Sequence, residues 1–171
     1  KHKMPERKDG NKLKKIMNDP SNIVEEMLEG LVKSYPELVH RVESSRVVAK
    51  NQKAEQVGLV SGGGSGHEPS HAGFVGEGML SAAVLGDVFT SPTPDQIQTA
   101  IKEADSGKGV LLIVKNYTGD ALNFDMAKEL AAMDDIEVES VIVDDDIAVE
   151  NSTYTAGKRG VAGTVLVHKI V

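Results

Sequence analysis

Short apolar segments alternate with helical patterns along the chain, and this alternation restricts the fold more than any other feature. The apolar segments are bounded by glycine or aspartate, which is typical of buried strands. They are VGLV (57–60), SAAVL (81–85), GVLLIVKN (109–116) and VESVIVDDD (138–146). Parallel neighbours need crossover connections, so strands separated by helices predict an α/β fold with a largely parallel sheet and helices on both faces.

Three segments have the apolar spacing of helices. The first lies within DPSNIVEEMLEGLVKSYPE and ends before Pro36. In TPDQIQTAIKEAD, Thr93 and Gln96 have capping-box spacing and Pro94 occupies the first helical position. In GDALNFDMAKELAAM, four large residues are predicted to stripe one face. These four are Leu122, Met126, Leu130 and Met133.

Composition limits the classes of function. The 171 residues, 40% of them hydrophobic, suffice for one domain with its own core. A formal net charge of −7 argues against a nucleic-acid partner, which needs clustered Lys and Arg. Residues 1–15 carry seven Lys or Arg against two acidic residues, and they are predicted to be a disordered basic leader or a cloning remnant.

Two features that the sequence lacks indicate the expected cellular location of the protein. No apolar run approaches the roughly 18 residues of a membrane span, and no signal peptide follows the basic leader, so no membrane partner is expected. The chain also has no Cys, which removes disulfides and thiolate chemistry and fits a cytoplasmic protein.

Three polar loops follow predicted strands and are expected to share one edge of the sheet. SGGGSGHEP follows the first strand, KNYTGD the third, and DDD ends the fourth. Ligands of open α/β sheets bind beyond the carboxyl ends of the strands, near a switch in strand order. The loops would therefore converge on one cleft if their strands are neighbours.

The segment from Ser61 to His71 contains the letters of the zinc signature H-E-x-x-H. That signature needs both His side chains on one helical face, and Pro69 inside a helix would cost about 3 kcal/mol. Pro69 fits better in the first turn of a helix that excludes His67, so the two imidazoles are predicted to diverge. A zinc hydrolase is the weakest of three alternatives.

The same segment lacks both common nucleotide fingerprints. G-x-G-x-x-G would need glycine at position 67 or 69, and G-x-x-x-x-G-K-[ST] is absent. The residues between Gly62 and Gly66 therefore predict a glycine-rich turn whose backbone amides approach a small ligand. A plain strand-to-helix turn is the alternative, although such a turn does not require three consecutive glycines.

KNYTGD supplies a cation and a carboxylate near the same cleft. Lys115 closes an apolar strand and Asp120 opens a helix. The helix N-terminus is expected to keep Asp120 ionised and to lower its basicity. The structural alternatives are a cap for Asp120 and a solvated strand end for Lys115.

Taken together, GGGSGHEP, FTSPTP, KNYTGD and VIVDDDIAVENSTYTAGKRGVAGTVL resemble the N-terminal domain of the dihydroxyacetone kinase family, in its substrate-binding subunit. The resemblance covers residues from about 16 to 171, and the joint order of the motifs is more specific than any one motif. It implies a dihydroxyacetone-binding domain over 16–171, the single N-terminal domain of a longer two-domain subunit. GVAGTVLVHKIV is expected to be a helix by resemblance, although alone it fits a strand.

The resemblance also implies a set of site residues. The expected substrate-binding residues are Gly63, Gly64, Ser65, His67, Lys115 and Asp120. Asp120 and His67 are the expected catalytic residues: Asp120 accepts the hydroxyl proton and His67 hydrogen-bonds a substrate oxygen. Phosphoryl transfer to a hydroxyl mainly needs positioning, charge neutralisation and such a proton acceptor.

The family context sets the expected partners. No cofactor or metal is expected on this chain, while ATP or ADP with magnesium belongs to a nucleotide-carrying partner subunit or domain. The donor is ATP or, in the phosphotransferase-linked form, phosphoenolpyruvate, and the subunit is expected to be a homodimer in glycerol metabolism. The rival function is a non-catalytic sensor or coactivator that binds dihydroxyacetone.

Remaining titratable residues are given structural roles. Family members bind the substrate carbonyl as a hemiaminal on a histidine of the second domain, so the chain alone is expected to bind weakly and to be inactive. The other four histidines are predicted to be surface or packing residues. They are His2, His40 (in a polar linker), His71 and His168. Residues 144–146 are predicted to be solvated and helix-capping in preference to binding a cation.

Overall fold

The structure is a computed structural model that describes residues 15–149 and 157–171. The strands are β1 (Val39–Arg41), β2 (Val47–Lys50), β3 (Gly58–Ser65), β4 (Ala82–Val88), β5 (Val110–Lys115) and β6 (Val138–Val143). The helices are α1 (Ile23–Ser34), α2 (Pro94–Ala104), α3 (Thr118–Ala132) and α4 (Thr164–Ile170), with 3-10 helices at Pro20–Asn22 and Ala72–Phe74. The basic leader lies outside the described residues, apart from Lys15.

The strands form one six-stranded sheet in the order β1-β2-β4-β3-β5-β6. Strands β3 to β6 are parallel, which confirms the four predicted strands and the largely parallel sheet. β1 and β2 form an antiparallel extension beside β4 that the sequence analysis did not predict. His40, assigned to a polar linker, lies in β1, because a three-residue strand gives too short a pattern to recognise.

Helices cover both faces of the sheet, as predicted. α2 and α3 pack on one face, where Ile97, Ala100 and Phe124 are buried with β-strand residues such as Val60. α1, α4 and the 3-10 helix after β3 lie on the other face, around a second core that contains Leu28. None of the helices in the described part of the chain is long and apolar enough to cross a membrane.

The helix boundaries follow the capping signals in the sequence. α2 begins at Pro94 behind Thr93, whose backbone N–H donates to Oε1 of Gln96 at 3.1 Å, which confirms the capping box. The segment from Thr164 to Ile170 is a helix, which confirms the assignment by resemblance and not the strand alternative.

The predicted stripe on α3 does not face the core. Leu122 is 60% exposed and Met133 81% exposed, and Met126 is exposed as well. The buried face instead carries Phe124 and small residues such as Ala127. Small side chains let the helix approach the sheet closely, and spacing alone could not distinguish the two faces because both carry apolar residues.

The structure also corrects the prediction for the glycine segment. SGGGS continues β3 to Ser65 and is not a turn. No helix begins at Pro69, because this region forms turns that lead to the three-residue 3-10 helix Ala72–Phe74. Glycine is frequent from Gly66 to Gly78, and its low helix propensity accounts for the missing helix.

The orientation of α3 predicts different costs for two truncations on the same helix. In the 171-residue chain, Phe124→Ala should lower the free energy of unfolding by about 3–5 kcal/mol, because it opens a cavity in the core. Leu122→Ala should change it by less than about 0.5 kcal/mol, because that side chain is exposed. Denaturant unfolding measures both, and equal losses would contradict the orientation.

Candidate active site

A cleft opens between β3 and β5 at their carboxyl ends. β3 pairs with β4 as far as Ser65, but its pairing with β5 stops at Ser61↔Ile113, although β5 continues to Lys115. The chain leaves β3 toward the face that carries α1 and leaves β5 through α3 on the other face. Neighbouring strands whose connections run to opposite faces form the switch point at which α/β sheets bind ligands.

Glycine at two positions of β3 serves close contacts at this cleft. A Cβ on Gly64 would lie 2.5 Å from the backbone N of Thr90, so a side chain there would collide with the loop after β4. A Cβ on Gly63 would meet no backbone; it would lie 3.3 Å from Oδ2 of Asp120 and 3.6 Å from Nε2 of His71. The lack of a side chain at Gly63 therefore lets a carboxylate and an imidazole lie close to its backbone.

Asp120 lies in the first turn of α3 and is only 5% exposed. Burial raises its pKa, and the hydrogen bond with Ser91 and the charge of Lys115 oppose that rise without cancelling it. The prediction that the basicity of Asp120 is lowered is therefore wrong, because burial raises its pKa more than Ser91 and Lys115 lower it. Tyr117 takes the N-cap position, so Asp120 is not the cap.

Lys115, the last residue of β5, is also 5% exposed, so the solvated strand end is excluded. Its Nζ lies 5.3 Å from the ring centroid of Tyr117, a cation–π geometry. Burial lowers the pKa of Lys115, while the carboxylate of Asp120 acts in the opposite direction. The site thus holds two oppositely charged groups that are both poorly solvated.

His67 is an exposed residue beside the cleft. Its ring contacts Phe89 edge-on at a centroid distance of 5.3 Å and lies 6.2 Å from the ring of Tyr117. Partial burial and the charge of Lys115 lower its pKa, and Asp120 opposes this. The structure therefore brings His67, Lys115 and Asp120 to one cleft, as the sequence analysis expected.

The Ser65 side chain is used in a hydrogen bond within the protein and is not available to a ligand. Its Oγ donates to the backbone oxygen of Gly86 at 2.8 Å and is buried. Only the backbone of Ser65 can face a ligand. Glu68 is used locally as well, because its carboxylate accepts from the Gly66 N–H at 3.0 and 3.1 Å.

His71 diverges from His67, as the zinc argument predicts. It is 2% exposed; its Nδ1 lies 3.0 Å from Oγ of Ser61, and its ring packs 5.6 Å from that of His168. His71 and His168 are thus buried, which confirms packing and excludes a surface position. In residues 15–149 and 157–171, no group of three or more His, Asp or Glu could hold a metal ion.

The acidic run after β6 binds the segment that leads into α4. Asp145 accepts from the N–H groups of Val161 and Gly163, both at 2.7 Å, immediately before α4. Asp146 is buried beside Arg159, with 3.3 Å between Oδ2 and Nε, so it is not solvated. The helix-capping prediction is wrong for Asp145, because its bonds go to residues before α4 and α4 has no side-chain cap.

Sequence reasoning missed several residues of the cleft. Ser91 hydrogen-bonds Asp120, Tyr117 contacts both His67 and Lys115, and Phe89 covers His67. Their position in the sequence could have identified them. Phe89 and Ser91 belong to FTSPTP and Tyr117 belongs to KNYTGD, two of the motifs that carry the family resemblance.

Removing the buried carboxylate should stabilise the fold. A group whose folded-state pKa is raised contributes stability at low pH and loses it as the pH rises through that pKa. Asp120→Asn should therefore raise the melting temperature at pH 7, and the gain should shrink below the ordinary Asp value of 3.8. Thermal unfolding across pH measures this, with the exposed Asp125→Asn on the same helix as control. A lower melting temperature for Asp120→Asn at pH 7 would contradict the assignment.

Comparison with known proteins identifies the family of the chain. The Dak1 domain model matches residues 29–171. The chain is 70% identical over 160 residues to the dihydroxyacetone-binding subunit DhaK of PTS-dependent dihydroxyacetone kinase 1 of Listeria innocua, covering 93% of this chain and 49% of that protein. It is 51% identical over 160 residues to the corresponding subunit of the PEP-dependent kinase of Escherichia coli, covering 93% and 45%.

A regulator and a solved kinase structure are also similar. The DhaKLM operon coactivator DhaQ of Lactococcus lactis is 42% identical over 157 residues, covering 92% of this chain and 48% of that protein. The crystal structure of the dihydroxyacetone kinase of C. freundii matches with a TM-score of 0.86 at 45% identity, covering 92% of this chain and 29% of that one. The chain spans about half the length of the first two relatives. The chain belongs to the Dak1 domain family.

Proposed function

We propose that the protein binds dihydroxyacetone and presents one of its hydroxyl groups for phosphorylation, giving dihydroxyacetone phosphate. The observation that carries this proposal is the burial of Asp120, which lies beside Gly63, and of Lys115, whose charge acts on Asp120, at the switch point of a Dak1-family sheet. Relatives named as dihydroxyacetone-binding subunits support the choice of ligand.

Each residue has a chemical task in this proposal. Asp120 accepts the proton of the reacting hydroxyl, and its raised pKa makes it a stronger base than an exposed Asp. Lys115 holds a ligand oxygen and offsets negative charge that approaches with the phosphoryl group. The backbone from Gly63 to Ser65 fixes the ligand, and His67 hydrogen-bonds it from the solvent side.

The phosphate donor is proposed to lie on another subunit or domain. ATP or ADP with magnesium would be held there, or the phosphate would come from phosphoenolpyruvate, because this chain carries neither nucleotide fingerprint in its sequence. Relatives are named as dihydroxyacetone-binding subunits of PTS-dependent or PEP-dependent kinases, which supports a phosphate source outside this chain. We extend the proposal to a cytoplasmic homodimer that acts in glycerol metabolism.

The second candidate is a dihydroxyacetone-binding coactivator without kinase activity. The similarity to the coactivator of Lactococcus lactis favours it, although the identity of 42% is below the 70% shared with the kinase subunit of Listeria innocua. A coactivator requires the ligand but no proton acceptor. Phosphorylation, and not binding, therefore separates the two candidates.

Asp120→Asn tests the kinase proposal in the full-length protein. Binding of dihydroxyacetone should stay within about threefold, because Asn keeps the shape and hydrogen-bonding capacity of the side chain. The phosphorylation rate with partner and donor should fall by at least about 10², the usual contribution of a general base. Calorimetry measures binding, and formation of dihydroxyacetone phosphate measures the rate.

The exposed Asp125→Asn on the same helix is the control and should keep the wild-type rate. Undiminished turnover of Asp120→Asn would remove Asp120 from its role. A wild-type protein that binds dihydroxyacetone but is not turned over with either donor would favour the coactivator. Absence of binding would overturn both functions.

A further inference from the structure

A buried acceptor beside the cleft has no hydrogen-bond partner. Nε2 of His71 is enclosed by protein and bonded to nothing among the described residues. Buried polar atoms in folded proteins are nearly always paired, so an unpaired one at a cleft indicates a missing partner.

The hydrogen bonds around His71 decide which nitrogen carries its proton. Oγ of Ser61 lies 2.6 Å from the backbone oxygen of Ile113, and since a carbonyl can only accept, the Ser61 hydroxyl donates there. Ser61 therefore accepts from Nδ1 of His71 at 3.0 Å. Burial, with Lys115 and the other two nearby histidines, lowers the pKa of His71 well below 6.5. The imidazole is neutral, with hydrogen on Nδ1 and a bare lone pair on Nε2.

That nitrogen lies beside Gly63 and Asp120. Nε2 of His71 and Oδ2 of Asp120 lie 3.6 and 3.3 Å from the position that a Gly63 side chain would occupy. Both atoms are acceptors when Asp120 is ionised, so they cannot bond each other. Asp120 already has a hydrogen bond with Ser91, so Nε2 of His71 is the acceptor that still needs a hydrogen.

Among residues 15–149 and 157–171, no neighbouring group supplies that hydrogen. The other nitrogen-bearing side chain packed on His71 is that of His168, whose two nitrogens also have no hydrogen-bond partner. Nζ of Lys115 lies over the Tyr117 ring and forms no bond to His71. The missing hydrogen must therefore come from the occupant of the cleft.

We propose that Nε2 of His71 accepts a hydrogen bond from a second hydroxyl group of the bound ligand, while Asp120 faces the hydroxyl that reacts. His71 is then a substrate-binding residue that selects ligands with two hydroxyl groups. This inference rests on the proposed function. It assigns a binding role to a residue that the motif analysis treated as packing.

Two substitutions at His71 separate the acceptor from the Ser61 bond. Asn can keep a donor near the Nδ1 position but has nothing at Nε2, whereas Gln can place an oxygen near Nε2. The ligands are dihydroxyacetone and hydroxyacetone, in which hydrogen replaces one hydroxyl. Calorimetry on the full-length protein gives the affinity ratio for each variant, and His168→Asn is the matched control because it removes a neighbouring buried imidazole.

We expect His71→Asn to weaken dihydroxyacetone binding about tenfold while hydroxyacetone binding changes less than about threefold. His71→Gln should recover most of the preference, and His168→Asn should leave the ratio of the two affinities unchanged. An unchanged ratio in His71→Asn, or an equal loss in His71→Gln, would overturn the inference. Wild type that fails to bind dihydroxyacetone would overturn the proposed function as well, so the two failures are distinguishable.

A measurement on the wild-type protein covers the case in which His71→Asn does not fold. The ¹⁵N resonance of a non-protonated imidazole nitrogen moves upfield when it accepts a hydrogen bond. Nε2 of His71 should therefore shift upfield with dihydroxyacetone and less with hydroxyacetone. Equal shifts with the two ligands would overturn the inference.

Discussion

The site depends on the separation of two parallel strands. β3 and β5 are paired up to Ser61 and Ile113, and beyond that point β3 stays with β4 while the side toward β5 is open. Gly64 permits this course because the loop after β4 crosses directly against its backbone. A sheet that stayed paired to its ends would leave no space between Gly63 and Asp120. The cleft is thus formed by the course of the backbone and not by the charged residues.

Burying two charged groups in that cleft destabilises the fold. The same burial shifts their pKa values and so changes their reactivity. Asp120 and Lys115 are both desolvated, and the pKa of each moves toward its neutral form despite their mutual attraction. The surrounding sheet offsets this cost with two dense apolar cores, one on each face. Perturbed titratable groups in a cleft are typical of functional sites, and here the cause of each shift is visible.

The four parallel strands and the start of α2 were predictable because their signals are local, whereas the expected site residues came from the resemblance of the motifs to a known family. Apolar runs gave the four parallel strands, and capping residues gave the start of α2. The continuation of β3 through SGGGS was not predictable, because it depends on the distant loop at Thr90. The raised pKa of Asp120 and the buried position of His71 likewise depend on tertiary packing, which no spacing encodes.

A crystal structure of the full-length protein with dihydroxyacetone would test the central claim most directly. The account predicts the ligand between the Gly63–Gly64 backbone and the side chains of Lys115 and Asp120, with one hydroxyl at each of Asp120 and His71. Ligand bound elsewhere, with this cleft closed or filled by protein, would contradict it.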